Sequence, residues 1–549
     1  MTTNVLLTTL LAAATVLPVQ VERIPAATVE LDWDRRAVEH LWNRAGFGVA
    51  ADEIDAWVAA GPEALVDHLF AVRRGDRTPL SRRFESTLNE FDAEVGSPAS
   101  RKERFETRRR RRLIENDLLQ DLRSAWMESI LEGDDPLRDR MTLFWHGVFT
   151  TSFTSVRRPD ALARQYETLR GGALGSYAVL LRAMLRDTAL LEYLDNDENR
   201  RGSPNENLAR EVMELFALGE GHYSEADVRE AARALTGATR GDDGAYQFDE
   251  GQHDDGVKTI LGVTGTHGPN DLATILLDRP ECASFLARSL LEYLEGVPAS
   301  PARVDQYAEL LRETDYDVGR FLRTLFLDPG FYRAEVVGAR VAGPIDFVAG
   351  AERRLGLGVP PDFAADAAAA LGQDLFRPPS VKGWDEGFAW ISTSTLMLRG
   401  NVIGAMLDLI DVETVRGDMR GAVRSELGLG GASRDDMREM SREQFRRDAL
   451  SRLAKSLRES DYEPSAYLGT IVRGAGARTD EEAVRVLADA LLAIEPPEET
   501  IAMLIVRLAE LRDAFGVTEE QLAQNRRRTE NALLRLGHLL LSLPEAQLH

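Results

Sequence analysis

A mainly α-helical fold is what this sequence predicts: a multi-helix, bundle-like domain with a small β-hairpin insertion, followed by a helical C-terminal extension. Three observations carry that reading. Amphipathic helical patterning dominates most of the chain. Short β-prone segments break that pattern in one region, at residues 246–248 and 259–263. The composition then shifts after Asn401, where a glycine-rich stretch precedes a second helical block.

The elements follow in order. Residues 1–36 read as a leader. The run at 5–17 has the length of a signal-peptide core and is too short to span a bilayer. No Lys or Arg precedes it, and the cleavage-like Ala26-Ala27 lies far downstream. Export is the expectation, with a cytosolic chain left open. Residues 37–72 read as two helices around the turn at 45–48. A long helix is expected over 101–133, its start strongly basic (Arg101, Lys102, Arg104 and Arg108 to Arg112). That run reads as a solvated face paired with Glu103, Glu106, Glu115 and Asp117 rather than as a nucleic-acid patch. An aromatic-rich helix led by Pro136 spans 136–153, and further helices cover 172–194, 205–218 and 224–236. Ser224 with Asp227 resembles a capping box at the start of the last of these. One hairpin is read near 246–264. Helices resume from 271 to about 371, and a Pro/Gly/Trp-rich loop follows at 377–390. The main domain is thus 37–405, with a linker over 406–440, where Gly428, Gly430 and Gly431 weaken any helix. A C-terminal helical unit covers 441–549.

Composition narrows the function classes. The chain has 549 residues, 44% of them hydrophobic, enough for a sizeable interior. A formal net charge of -24 opposes phosphate backbones and anionic surfaces on average, so no nucleic-acid partner is expected. The single cysteine, Cys282, excludes an internal disulfide and thiolate clusters, and reads as a buried apolar thiol. There is no nucleophile elbow, P-loop, dinucleotide fingerprint or H-E-x-x-H. No transmembrane span is expected.

Several polar constellations remain as candidates. Asp195, Asp197, Asn199, Ser203 and Glu206 stand at nearly the oxygen-ligand spacing of a calcium loop, although Arg200 occupies the position where such a loop turns on Gly. The alternative is an Asx-rich turn capping the next helix. On that helix Asn207, Glu211 and Glu214 share one flank at i, i+4, i+7. They suit a divalent cation or acid–base work; the bland alternative is an ion network with Arg229 and Arg233. His146 and His253, with Asp254, complete a candidate transition-metal set with Glu211 and Glu214. A core role is the alternative for His146 and equally for His40, a further candidate. Lys382, Trp384 and Trp390 on the 378–401 segment suit a carbohydrate or peptide groove, or else plug a gap between helices.

Six ordered stretches resemble the domain-of-unknown-function 1800 family: "HLWNRAGFG" (40–48), "FWHGVFTTS" (144–152), "YLDNDENRRGSPNENLAREVMELFALG" (193–219), "YSEADVREAARALTG" (223–237), "HDDGVKTILGVTG" (253–265) and "PPSVKGWDEGFAWISTSTLMLRGN" (378–401). The resemblance covers roughly residues 37–405. It implies a mainly helical bacterial protein, often exported and often encoded beside sulfatase-like exported proteins, and implies no established activity. Two positions depart from the family pattern: Ala238-Thr239 replaces a small-Trp pair, and Ala342-Gly343-Pro344 replaces Lys-Ser-Pro. Two functions follow as expectations. The first is an exported or envelope-associated scaffold or accessory protein with a central ion network or metal site. The alternative is a metal-dependent hydrolase using Glu211, Glu214, His146 and His253, with calcium or a transition metal as cofactor.

Overall fold

The computed structural model describes residues 31–71, 79–96, 100–241, 244–409, 452–453, 462–465, 468–522, 524 and 527–549. Most of the expected leader and most of the expected linker lie outside these residues. The chain opens with α1 (Arg35–Ala45), α2 (Ile54–Ala60), α3 (Pro62–Phe70), α4 (Leu80–Val95) and the 32-residue α5 (Arg101–Glu132). Next come α6 (Pro136–Val148), α7 (Phe153–Val156), α8 (Pro159–Gly172), α9 (Tyr177–Met184) and α10 (Thr188–Tyr193). α11 (Asn207–Glu211) runs directly into a π-helical segment, Val212–Ala217, and α12 (Glu225–Leu235) follows. After the strands come α13 (Pro269–Leu277), α14 (Pro280–Glu295), α15 (Pro301–Glu313), α16 (Val318–Phe326), α17 (Pro344–Leu355), α18 (Pro361–Ala370) and α19 (Thr393–Met406). The C-terminal block holds α20 (Leu468–Gly474), α21 (Asp480–Leu491), α22 (Glu498–Phe515) and α23 (Arg527–Leu541). The fold is mainly α, as expected.

Local chemistry sets these boundaries. Among the described residues, eight helices begin with proline in the first turn (α3, α6, α8, α13, α14, α15, α17 and α18), where its fixed φ suits the helix and its missing N–H costs nothing. The Ser224–Asp227 capping box forms, and Ser100 with Glu103 builds another at the start of α5. The expected pair of helices over 37–72 is three, because Gly61 at φ +88° and Pro62 stop α2 and start α3. The helix expected to reach residue 153 stops at Val148, and the one expected over 172–194 breaks at Asp187, whose side chain caps α10.

The β region needs correction. There are two hairpins, and neither pairs 246–248 with 259–263. β1 (Ala238–Arg240) pairs antiparallel with β2 (Tyr246–Phe248), and β3 (Lys258–Ile260) with β4 (Val263–Gly265). The second turn falls inside the segment taken as one strand. Leu261 (φ +50°) and Gly262 (φ +83°) are its two central residues, and positive φ at both positions is the geometry that tight hairpins prefer.

Two apolar cores organise the described residues. The first gathers α1–α3, much of α6, and α9 to α16. The second gathers α4, α5, α17–α19 and the C-terminal helices, with Trp126, Phe363 and Leu540 fully or almost fully buried. α6 and α8 feed both: Phe144 and Leu169 turn to the first core, Leu143 and Tyr166 to the second. Residues 547–549 lie against 340–342, with the Ala342 N–H donating to the Gln547 carbonyl at 2.8 Å.

Candidate functional site

A cavity of about 640 Å³ opens at the seam between the two cores. Phe144, Gly147 and Val148 at the end of α6 line one side, and Glu292 and Tyr293 near the end of α14 another. The segment from Ala339 to Gly343 closes the back, and residues 381–390 form the remaining wall. Lys382, Trp384 and Trp390, expected from sequence as groove residues, all line this cleft.

Each is held by local structure. Gly383 has φ +83°, and a Cβ there would meet the Gly147 carbonyl at 2.9 Å, so glycine lets the loop press against α6. That places Trp384 against His146, with ring centroids 5.3 Å apart. Trp390 is buried, and its carbonyl accepts from the Thr395 hydroxyl at 2.9 Å at the start of α19. Phe388 between them is 80% exposed. Lys382 turns outward and reaches Glu214 at 3.7 Å and Glu220 at 4.0 Å.

The cleft mixes aromatic surface with charge. Glu292, Asp385 and Glu386 bring carboxylates, and Arg340 a guanidinium that lies over the Tyr293 ring at 4.6 Å. Solvent reaches Glu386, yet its crowded surroundings raise its pKa; Arg340 opposes the rise and Glu292 and Asp346 add to it. Beneath the floor, buried Asp346 pairs with Arg140 and with Arg340 (3.3 Å). Burial alone would raise the Asp346 pKa, but the two arginines overcome it and hold it below the usual carboxylate range.

The expected metal set is not assembled. His146 is enclosed by Trp126, Phe376 and Trp384, and burial lowers its pKa to about 3. His253 bonds elsewhere: Nδ1 donates to the Thr236 carbonyl at 2.8 Å, and the ring packs on Phe248. Asp254 receives Arg233 through Nε (2.8 Å) and Nη2 (3.1 Å), which lowers its pKa to about 2. His253 and Asp254 therefore clamp the loop between β2 and β3 onto the end of α12. His40 takes a core role: its buried ring donates from Nε2 to the Phe331 carbonyl at 3.1 Å. Among the described residues, no three of His, Cys, Asp and Glu are gathered closely enough to hold a metal ion.

The acidic flank of α11 and the π-helical segment does reach the cleft rim. Glu214 accepts from the Tyr223 hydroxyl at 3.2 Å and pairs with Lys382. The Glu211 pKa is raised by burial and then by Glu214, with Lys382 opposing. The expected pairing with Arg229 and Arg233 is replaced: Arg233 is committed to Asp254 and Glu230, and Arg229 lies near Glu225. Register explains this, since α12 turns Arg233 toward the β2–β3 loop and away from α11. Asn207 donates to Asp195 at a long 3.5 Å.

The calcium-like loop takes the form of an Asx-rich turn. Asn199 is buried, donating to Asn196 and to the Ala232 carbonyl and accepting from the Asn205 N–H. Glu206 pairs with Arg210, and Ser203 bridges back to Arg200. Asp195 adopts a left-handed conformation at φ +55°, and Asp197 sits in a short 3-10 turn. The ligand set expected from spacing therefore does not point to one centre. Cys282 is buried, as expected, and burial pushes its thiol up to about 12.

The family model described as a protein of unknown function (DUF1800) matches residues 40–548. The chain belongs to the DUF1800 family. The match runs through the C-terminal helices, beyond the 37–405 span in which the sequence blocks were recognised. No curated protein and no solved structure matches this DUF1800 chain. Sequence reasoning missed Glu292, Tyr293, Arg340, Glu386 and Phe388 as cleft residues of this DUF1800 fold. Only the last two carried a local signal, as part of a Gly-rich loop between two tryptophans.

Proposed function

We propose that this chain is an exported or envelope-associated accessory protein that holds a polyhydroxylated ligand, a glycan segment, in the cleft between its two cores. The observation that carries the reading is the convergence of Trp384, Phe388 and Tyr293 with Glu292, Asp385 and Glu386 on one cavity of about 640 Å³. Aromatic faces cover the C–H faces of sugar rings, and carboxylates accept from sugar hydroxyls. Four carboxylates (Glu292, Asp346, Asp385 and Glu386) against Lys382 and Arg340 disfavour sulfated or phosphorylated ligands. The metal-dependent hydrolase has less support, because His146 is enclosed by aromatic rings and His253 is held by Thr236, while Glu211 and Glu214 share the flank near Lys382. The sulfatase-like partner implied by the resemblance belongs to this proposal as a protein whose co-purification with the full chain tests it. Fractionation of cells expressing the chain tests export.

Titrating the protein with neutral cello-, chito- and malto-oligosaccharides while following tryptophan fluorescence tests the cleft. At least one series is expected to saturate. Phe388→Ala, at an exposed position that folding does not need, is expected to weaken that binding about tenfold. No saturation with any of the three, or binding indifferent to both Phe388→Ala and Glu386→Gln, would sink the reading.

A further inference from the structure

The first half of α5 presents a cationic face with an apolar centre. Residues 101–112 hold eight Arg and Lys against two Glu, in a chain whose net charge is -24. The helix sorts them. Arg110 pairs with Glu94 at 3.0 Å, and Arg111 pairs with Asp92 and with Glu115 (3.0 Å), so this side is turned to α4 and to the helix's own acids. Arg101, Phe105, Arg108 and Arg112 follow at i, i+4, i+7 and i+11, one stripe on the other side, with Arg109 beside it. All five are exposed, and Phe105 is 69% exposed. Arg101, Arg108 and Arg109 have no carboxylate partner among the described residues, and Leu113, 57% exposed, extends the apolar edge.

We propose that this face of α5 docks the protein on an anionic phospholipid surface. The charge arrangement selects an anionic partner, and a stripe along one exposed face of a single continuous helix suits a flat one. Phe105 in the middle of the arginines is the apolar anchor that an interfacial helix sinks below the headgroups while its cations stay among the phosphates. A duplex phosphate backbone rewards the arginines and not the phenylalanine. Among the described residues no helix is long and apolar enough to cross a membrane, so contact by a surface helix is the route to the envelope that these residues provide. The inference bears on the envelope part of the proposed function and is independent of the cleft.

Co-sedimentation of the full chain with vesicles tests it, comparing phosphatidylcholine alone with phosphatidylcholine containing 30% phosphatidylglycerol, about a third anionic lipid as in a charged leaflet. Binding at least about tenfold stronger to the anionic vesicles is expected. It should fall to the neutral-vesicle level in the double variant Arg108→Glu with Arg109→Glu, and fall several-fold in Phe105→Ser. Oligosaccharide binding in the cleft should be unchanged in both variants, which separates a failure here from a failure of the cleft reading. Equal binding to both vesicle types, or no binding to either, overturns the proposal. Tighter binding to a single-stranded oligonucleotide, lost in the same variants, would overturn it in favour of nucleic acid, where stacking on Phe105 would be rewarded.

Discussion

His146 shows how a residue's surroundings decide its chemistry. Its ring is enclosed by three aromatic side chains, and Nε2 has no partner among the described residues. Burial lowers its pKa to about 3, whereas an unfolded histidine titrates near 6.5. The unfolded chain therefore binds the proton first. The contribution of the neutral ring is complete above about pH 6.5 and is lost as pH falls toward 3, by roughly 1.4 kcal/mol per pH unit. Glu39, Asp139 and Asp187, raised to about 7 chiefly by burial, act in the opposite direction on the whole protein. The comparison with His146→Gln isolates the one site. Between pH 7 and pH 5 the stability difference between wild type and His146→Gln, from urea unfolding, should shift against the wild type by roughly 2 kcal/mol. A difference that stays constant would place the imidazole in contact with solvent or with an acid. The choice between core residue and ligand was visible in the sequence as a pair of options, since the aromatic neighbours Phe144, Trp145 and Phe149 are adjacent along the chain. The residues that settle it, Trp126, Phe376 and Trp384, are distant in sequence.

At the scale of elements, two glycines that frame the hairpins, Gly262 in the β3–β4 turn and Gly237 just before β1, have different surroundings. Gly262 has φ +83° with nothing near its absent side chain, so Gly262→Ala should cost about 1 kcal/mol, the strain of a left-handed alanine alone. Gly237 has φ +80°, and a Cβ there would lie 2.5 Å from the Asp249 carbonyl oxygen, where β2 leads back past the end of α12. Gly237→Ala should therefore cost more, roughly 2–3 kcal/mol, and loosen the His253–Thr236 clamp. Urea midpoints for the two variants check the order; equal losses would mean that the backbone contact yields freely. Caps were legible here because they are local: Ser224 and Asp227 are three residues apart and need nothing else. Strand pairing was not. The segments 246–248 and 259–263 are both β-prone, but which strand pairs with which depends on the Leu261-Gly262 turn and on Ala238–Arg240, a segment too short to announce itself.

Across the whole molecule, buried charge ties distant segments together under the cleft. Arg140 of α6 and Arg340 meet at Asp346 of α17, and the Arg399 guanidinium donates to Gln547 (3.0 Å) and to the Ala342 carbonyl (2.7 Å). Removing the carboxylate would leave buried Arg140 and half-buried Arg340 without their shared partner. Asp346→Ala should cost roughly 3–5 kcal/mol, measured by urea unfolding at pH 7. Asp346→Ala should also reduce oligosaccharide binding, since Arg340 forms part of the cleft wall. A loss below about 1 kcal/mol would show that water or neighbouring groups replace the carboxylate. Helical spacing in the sequence offered an ion network at Glu211, Glu214, Arg229 and Arg233 instead, because spacing reveals which charges share a face and not which face another helix will cover.

What the sequence by itself determined is therefore what short-range physics controls. Helical periodicity, proline and glycine punctuation and capping pairs specified a mainly α chain, the long α5, and a Gly- and Trp-bearing loop at 377–390. Tertiary structure alone decided that this loop closes against α14 and the Arg340 segment to make a cleft. It alone separated His146 from His253 and gave Asp346 to two arginines. The physical reason is that spacing along a helix or strand is set by backbone geometry, whereas the meeting of segments hundreds of residues apart is set by how two apolar cores pack, and no single stretch of chain encodes that packing.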